Sequence, residues 1–551
     1  MNNFVINLND IPETIKEEDI LKSEHLLEVL KNYFKESRKF DQPNSLYFHD
    51  YATRSIRVFL KNILTKDEKT MKKLDSLPLD KRDDLLNLID SLYDYWRKLN
   101  RYVFFDNSKG QKLSHYEFIR RFNEFAEAIV NFYRDIYETV LGREQTIYRI
   151  LPSGGNAGIL INHQDLELPE ALSFLKDSPS LESLVTQPPF IIKTKENKRK
   201  GVFFEKLDKV TEDKFNAGEA IAVTIDIYDT RGLVFIDKDY LGFLVALGNL
   251  FQIEPFKAEE AKKDYDFIVL FGTVDTGDKC YYYKEGKTYV GVCPKEAKID
   301  YFGYVKKMIL TLFNLAMIDR KLLPIHGAGV RIRRGDKTKN LFFLGDSGAG
   351  KSETLEAIRI LYKKRYQVDT IFDDMGTFHL INGSVFATGT EIGAFVRLDD
   401  LDQGYSLRSA DRAVYLNIDE DNSRVVIPIE DFEMTYMLHH VDAFLLCDNY
   451  TDTIKGVQLY NDPLTAISEF EKGERVALNT TNEKGLVSTY FANPFGPMQR
   501  EEEVHSYIQD YFNALFKNKV PVGKLYTRLS IDRKRGPYQG AEALIELFEK
   551  L

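Results

Sequence analysis

The sequence predicts a mixed α/β protein, with an N-terminal α-helical region ahead of two regions that combine strands and helices. Apolar spacing in residues 1–145 is helical, residues 146–324 mix short strands with helices, and residues 325–551 add a glycine-rich loop between a strand and a helix. At 551 residues the chain is too long for one ordinary hydrophobic core. We therefore expect these three regions to be separate structural parts.

The N-terminal region has the periodicity of amphipathic helices. Residues 83–99 and 115–141 repeat apolar side chains every three or four positions, and the first of them begins with acids. Turn residues are scarce, and we find no group of side chains here that suggests chemistry. The sequence therefore predicts helices without a catalytic role.

Beyond residue 146 the apolar runs are shorter and are bounded by turns, which is typical of strands. Two strands flank a YDTRG turn within residues 218–236, and a third lies at residues 267–274. Later strands and the C-terminal helices are predicted from the same patterns. The strands are residues 340–345, 368–374 and 442–449, and the helices are residues 501–517 and 540–551.

Composition excludes several classes of protein. The net charge is −10 and no long basic run occurs, which does not favour nucleic-acid binding. The three cysteines form neither a CxxC pair nor a disulfide framework, as expected in a reducing compartment. The N-terminus lacks the basic and apolar parts of a signal peptide, and no apolar run is long enough to span a bilayer. We therefore expect a cytoplasmic protein without a membrane partner; its oligomeric state stays open.

The glycine-rich loop, GDSGAGKS at residues 345–352, has the composition of a phosphate-binding turn. Glycines allow torsions that direct successive N–H groups at phosphate oxygens, and the following helix adds its positive end. Lys351 can reach the β- and γ-phosphates, and the Ser352 hydroxyl can hold Mg²⁺. The predicted nucleotide-binding residues are Gly345, Ser347, Gly348, Ala349, Gly350, Lys351, Ser352 and Glu353.

Two adjacent carboxylates, Asp373 and Asp374, end the next predicted strand. Acids at this end of a strand beside a phosphate loop are placed to hold metal, and consecutive strand residues point to opposite faces. The pattern favours two roles for the two acids, although a solvated Asp-Asp turn is the alternative. His326, followed by glycine at the start of the strand that leads to the loop, is a third candidate.

In this order, His326, the glycine-rich loop and the aspartate pair resemble the phosphoenolpyruvate carboxykinase and HPr kinase superfamily. The string GDSGAGKSET is similar to HPr kinase/phosphorylase, whereas the chain from about residue 190 onward weakly resembles ATP-dependent phosphoenolpyruvate carboxykinase. KTYVGVCPK at residues 287–295 resembles that family's TWYGGEMKK, and NSRVVIPI at 422–429 resembles NTRVSYPI. The resemblance implies a bilobal, mixed fold with the phosphate loop embedded in it.

This resemblance also implies a ligand set for two metal ions. Lys295, His326 and Asp374 would hold Mn²⁺, and the lysine would have to be deprotonated to do so. Ser352 and Asp373 would support Mg²⁺ on ATP.

The remaining implied roles concern the reaction of oxaloacetate and ATP to phosphoenolpyruvate, ADP and CO₂. Lys351 and Arg424 would stabilise the phosphoryl group in transfer, and His326 and Asp373 would also act in catalysis. Residues 186–201 lack the family's GRSPKD arginine segment. The candidate substrate-binding residues are Tyr289 and Arg231, with Arg199 as a further arginine, and Lys484 in TNEKGLVST falls in the nucleotide-base loop.

Two other functions stay open on the same residues. A kinase of the same superfamily, acting on a protein serine or a small hydroxylated metabolite, needs the glycine-rich loop and a general base, but no carboxylate-binding arginine. A non-catalytic nucleotide-binding scaffold needs only the loop, with the helical region as its interaction surface.

Overall fold

The protein has a mixed α/β fold with several sheets, and its computed structural model divides into two compact units. One unit comprises Met1–Gln164 and Pro179–Ile192, and the other comprises Asp165–Ser178 and Lys193–Leu551. No helix in the described part of the chain is long and apolar enough to cross a membrane. The structure describes residues 3–37, 53–110, 112–148, 153–163, 166–188, 190–199, 201–254, 264–362, 364–398, 411–418, 423–428, 433–453, 455–478 and 484–551.

The first unit packs helices on a small sheet in which β1, β2 and β3 are parallel and β4 is antiparallel to β3. The region predicted as helical therefore also contains strands, and β2 has the aromatic and β-branched residues that strands favour. Helix α6 begins at a capping box between Ser114 and Glu117, which satisfies two N-terminal backbone donors. The elements are β1 Asn3–Asn7, α1 Glu17–Lys22, α2 Glu24–Ser37, α3 Thr53–Leu64, α4 Glu68–Asp75, α5 Leu79–Lys98, β2 Asn100–Asp106, α6 His115–Leu141, β3 Ala157–Asn162, β4 Ser180–Thr186 and β5 Phe190–Ile192.

The second unit begins with a sheet whose strand order is β7-β8-β10-β12-β11-β6, with β9 paired to β7. β10 is parallel to both β8 and β12, and its five residues are buried. Helix α8 is buried along nearly its whole length and contacts β10, β12 and β13. The elements are β6 Phe204–Glu205, β7 Ala220–Ile227, β8 Thr230–Asp237, α7 Leu241–Leu250, β9 Gln252–Glu254, β10 Phe267–Phe271, β11 Tyr281–Glu285, β12 Thr288–Cys293, α8 Phe302–Asp319 and β13 Leu323–Arg334.

A second sheet of this unit, in the order β20-β16-β15-β13-β14-β21-β25-β22, carries the candidate site. β13 pairs antiparallel with both β14 and β15, which brings Gly327 opposite Asp374. Smaller sheets join β17, β19 and β18, and β23 with β24. The elements are β14 Lys337–Leu344, α9 Lys351–Tyr362, β15 Gln367–Ile381, β16 Ser384–Gly389, β17 Gly393–Arg397, β18 Val414–Leu416, β19 Arg424–Pro428, α10 Glu433–Tyr436, β20 His439–His440, β21 Ala443–Asp448, β22 Val457–Leu459, α11 Pro463–Lys472, β23 Glu474–Val476, β24 Leu486–Ser488, α12 Glu501–Lys517, β25 Val522–Tyr526 and α13 Gly536–Lys550.

The register of β13 depends on Gly327, because a Cβ there would lie 1.8 Å from the carbonyl oxygen of Phe343 in β14. We expect Gly327→Ala to lower the free energy of unfolding by about 1–3 kcal/mol or more, because the backbones of β13 and β14 must move apart. Urea unfolding followed by circular dichroism measures this change. Gly218→Ala is the control, because a Cβ there meets nothing within 4 Å, and its midpoint should match the wild type. Equal midpoints for Gly327→Ala and the wild type would contradict the argument.

Candidate active site

The glycine-rich loop connects β14 to α9, so the positive end of α9 faces the loop. Gly348 and Gly350 have φ values of +81° and +91°, which a side chain would disfavour. Lys351 is buried, and its Nζ donates to the carbonyl oxygens of Gly345 at 2.6 Å and Asp346 at 3.4 Å. The ammonium group is thus held against the loop's own backbone.

Asp373 faces the first turn of α9, where Ser352 Oγ lies 3.1 Å from each of its carboxylate oxygens. Burial raises the pKa of Asp373, and the neighbouring charge on Asp374 adds to this effect. A hydroxyl and a carboxylate at this distance supply two hard oxygen ligands beside the loop. These residues fit a Mg²⁺ ion that also binds phosphate oxygens.

Asp374 has entirely different partners and is the centre of a charged cluster. His326 Nε2 lies 2.9 Å from Asp374 Oδ1, while Lys306 Nζ and Lys307 Nζ lie 2.8 Å and 2.6 Å from Oδ2. Lys306 Nζ also lies 2.8 Å from Glu391 Oε1. We call these five residues the Asp374 cluster.

The backbone and the electrostatics of Asp374 are both unusual. Its φ is +113°, a conformation that adds about 1–3 kcal/mol of strain for a residue other than glycine. Burial alone would raise the pKa of Asp374, but the ammonium groups of Lys306 and Lys307 outweigh burial and hold that pKa well below its usual value. The carboxylate is therefore ionised and held in place by its neighbours.

The same surroundings shift the pKa values of Lys306 and Lys307 in opposite directions. Burial lowers the pKa of Lys307, and its neighbour Lys306 lowers it further against the opposing effect of Asp374. For Lys306 the attraction of Asp374 and Glu391 outweighs burial, so its pKa is raised. Lys307 is therefore the better candidate for a neutral amine ligand.

The orientation of His326 is fixed by its other ring nitrogen. Nδ1 lies 3.0 Å from the carbonyl oxygen of Ala492, which can only accept, so Nδ1 carries a proton. Nε2 faces the Asp374 carboxylate, 2.9 Å from Oδ1. Imidazoles that ligate metals are held in this way by a second hydrogen bond.

Metal fit can be judged from these donors. Within the described residues, no group of three or more His, Cys, Asp or Glu side chains could hold a metal ion. His326 and Asp374 supply only two such donors, and a third must come from Lys307. With that amine included, a nitrogen and oxygen donor set of the kind proposed for Mn²⁺ converges on Asp374.

Two arginines approach the cluster across aromatic rings. Arg199 lies 5.3 Å from the ring centre of Phe495, whose other contacts include Lys307 Nζ at 4.5 Å and the His326 ring at 5.9 Å. Arg424 lies 5.8 Å from the ring centre of Phe395, which Lys306 Nζ contacts at 5.5 Å. Both guanidinium groups therefore lie near the Asp374 cluster.

Several residues predicted for the site have other partners in the structure. Lys295 was predicted to hold metal, but its Nζ lies 2.8 Å from Asp237 and 3.0 Å from Asp239, and Lys306 and Lys307 reach Asp374 instead. The assignment of Lys295 followed a sequence match in a strand and the turn after it, whereas the lysine pair lies in α8.

Tyr289 and Arg231 were predicted to bind substrate. The Tyr289 hydroxyl donates to Asp319 at 3.0 Å, and the Arg231 guanidinium lies 5.9 Å from the ring centre of Tyr265. Lys484 is exposed just before β24; residues 481–483 of the predicted nucleotide-base loop lie outside the described residues.

The residues missed by the sequence argument are Lys306 and Lys307. The two lysines are adjacent inside the apolar helix α8, and buried ammonium groups need carboxylate partners. The lysine pair in YVKKM was thus itself a signal for a buried charged site.

No protein-family model matches this chain, and no curated protein matches it in sequence.

The raised pKa of Glu391 makes the stability of the protein depend on pH. Burial raises this pKa from an ordinary 4.5 to about 7. The folded state then holds a proton that the unfolded state releases, so this contribution to stability is complete below pH 4.5 and is lost as the pH rises to about 7. Glu391→Gln cannot titrate, so its stability relative to the wild type should increase across this window.

Urea unfolding of the wild type and of Glu391→Gln at several pH values between about 4 and 8 measures this difference in stability. Glu356→Gln, which removes a partly exposed acid in α9, serves as the control. A wild-type and a Glu391→Gln stability curve that run parallel with pH would contradict the assignment.

Proposed function

We propose that this chain is an ATP-dependent phosphotransferase of the phosphoenolpyruvate carboxykinase type, which converts oxaloacetate and ATP to phosphoenolpyruvate, ADP and CO₂. The observation that carries the proposal is the Asp374 cluster beside the glycine-rich loop. One carboxylate has an imidazole on one oxygen and two ammonium groups on the other, at 2.6–2.9 Å. The resembling family combines a lysine, a histidine and an aspartate in the same way.

The two metal ions implied by the resemblance fit this site. Lys307, His326 and Asp374 would hold Mn²⁺, and Ser352 with Asp373 would hold Mg²⁺ on the nucleotide. Bound there, the ions supply a Lewis acid for the acceptor oxygen and neutralise phosphate charge.

The chain's own residues have separate tasks. The N–H groups of the glycine-rich loop and Lys351 bind and orient the phosphates, and the positive end of α9 stabilises their charge. Arg424 stabilises the phosphoryl group as it passes to the acceptor. Lys306, His326 and Glu391 are each no more than 2% exposed, and this side of the Asp374 cluster limits the access of water that would hydrolyse the transferred group.

The position of Arg199 supports an acceptor that carries a carboxylate. Its guanidinium contacts Phe203 and Phe495, and Phe495 also contacts His326 and Lys307 of the Asp374 cluster. A planar guanidinium binds a carboxylate through two parallel hydrogen bonds. A hydroxyl kinase needs no such group, so this position supports the carboxykinase over the kinase.

The activity is tested in the carboxylating direction with purified full-length protein. Phosphoenolpyruvate, ADP, bicarbonate, Mg²⁺ and Mn²⁺ should give oxaloacetate, which malate dehydrogenase reduces with loss of NADH absorbance. Lys351→Ala should lower the rate by about 100-fold or more, because a charge that stabilises the transition state is removed. Without oxaloacetate formation, ATP use that depends on a hydroxyl acceptor would establish the kinase, and ATP binding without turnover would establish the scaffold.

Arg199→Gln should raise the KM for oxaloacetate by about tenfold or more, because a charged hydrogen bond to the carboxylate is lost. The dissociation constant for ATP should stay the same. Lys198→Gln is the matched control, because the neighbouring lysine is exposed and loses the same charge. If both variants have the same KM for oxaloacetate, Arg199 does not bind the acceptor.

A further inference from the structure

The glycine-rich loop contains a carboxylate, Asp346, at a position where the binding of phosphate requires positive charge. Its side chain is buried, with 8% of the residue exposed. Asp346 Oδ1 accepts the Ser347 backbone N–H at 2.7 Å, and the Asp346 carbonyl oxygen accepts the Ala349 N–H at 3.0 Å. Asp346 therefore shapes the loop, but its charge opposes the proposed ligand.

Arg475 of β23 neutralises this carboxylate. Its Nε and Nη2 donate to Asp346 Oδ2 at 3.0 Å and 2.8 Å, and Arg475 is only 2% exposed. Burial alone would raise the pKa of Asp346, but the positive charges on His326 and Arg475 hold it below its usual value. The pair is therefore ionised, and the net charge of the loop depends on an arginine 129 residues further along the chain.

A second side chain links β23 to the glycine-rich loop. Asn449 is fully buried, and its Nδ2 donates to the carbonyl oxygens of Gly348 at 2.9 Å and Val476 at 2.8 Å. Asn449 Oδ1 accepts the Val476 N–H at 2.9 Å. Arg475 and Asn449 thus connect the two-stranded sheet of β23 and β24 to Asp346 and Gly348 of the glycine-rich loop.

We propose that Arg475 is a positioning residue for nucleotide binding, which cancels the charge of Asp346 and fixes the carboxylate that orients the Ser347 N–H. This inference rests on the proposed function, because it concerns the phosphate site of the same loop. Arg475 acts through Asp346 and not by contact with the nucleotide. Loss of Arg475 leaves the buried Asp346 carboxylate without its guanidinium partner and with only the longer contact to His326 Nδ1 at 3.4 Å, whereas loss of both charges leaves a neutral loop.

The test is a double-mutant cycle in the full chain with Arg475→Gln, Asp346→Asn and the combined variant. Isothermal titration calorimetry with Mg²⁺ gives the dissociation constants for ATP and ADP. Arg475→Gln should weaken ATP binding by about tenfold or more, as expected for a lone buried charge. The combined variant should recover most of this loss, to within about threefold of the wild type. A role in folding alone predicts that the combined variant binds no better than Arg475→Gln.

The control is Arg333→Gln, which breaks an ion pair between Arg333 of β13 and Asp369 of β15 and should leave ATP binding unchanged. Wild-type-like binding by Arg475→Gln, or no recovery in the combined variant, overturns the inference while ATP binding by the wild type keeps the proposed function. A wild type that binds neither nucleotide overturns both. If Arg475→Gln does not fold, the combined variant alone tests the inference. The inference requires that this variant bind ATP to within about threefold of the wild type, and weaker binding overturns it.

Discussion

The carboxylate of Asp374 is the group on which the architecture of the site depends. It joins three elements, because His326 comes from β13, the two lysines come from α8, and Asp374 itself belongs to β15. A positive φ at Asp374 persists only where the surroundings hold it, and three charged contacts provide that restraint. Removal of Asp374 would leave Lys307 without its carboxylate partner and Lys306 with Glu391 alone.

A second constraint concerns the backbone of the glycine-rich loop. Thr527 donates to the carbonyl oxygen of Ala349 at 2.7 Å and lies where a Cβ at Gly350 would collide with it, at 2.5 Å. Asn449 and Arg475 hold the other side of the turn. The loop is therefore shaped by Thr527 just after β25, Asn449 just after β21 and Arg475 of β23, as well as by its own glycines, which leaves its N–H groups in a fixed arrangement.

Local patterns in the sequence predicted local parts of the structure. The strand, loop and helix around Lys351 were confirmed as β14 and α9, and the strands around the YDTRG turn as β7 and β8. The sequence does not specify which distant segments meet, so although the lysine pair in α8 signals a buried charged site, neither its contact with Asp374 nor the pair of Asp346 and Arg475 was predicted. Lys295 was assigned to the metal site from a short resemblance to a family motif. That assignment did not consider that a buried lysine needs a carboxylate partner, which points to Lys306 and Lys307.

The distribution of cations around the site constrains the ligand that it can take. Lys307 and Arg199 contact the ring of Phe495, and Lys306 contacts the ring of Phe395 together with Arg424. An aromatic face attracts a cation without cancelling its charge, so each of the two rings holds one guanidinium group and one lysine side chain beside the Asp374 cluster. Asp374 and Glu391 balance only part of this charge, because burial raises the pKa of Glu391 to about 7 and leaves it only partly ionised near pH 7. A multiply charged anion is the complement of such a site, and the nucleotide and the carboxylated acceptor of the proposed reaction both carry that kind of charge.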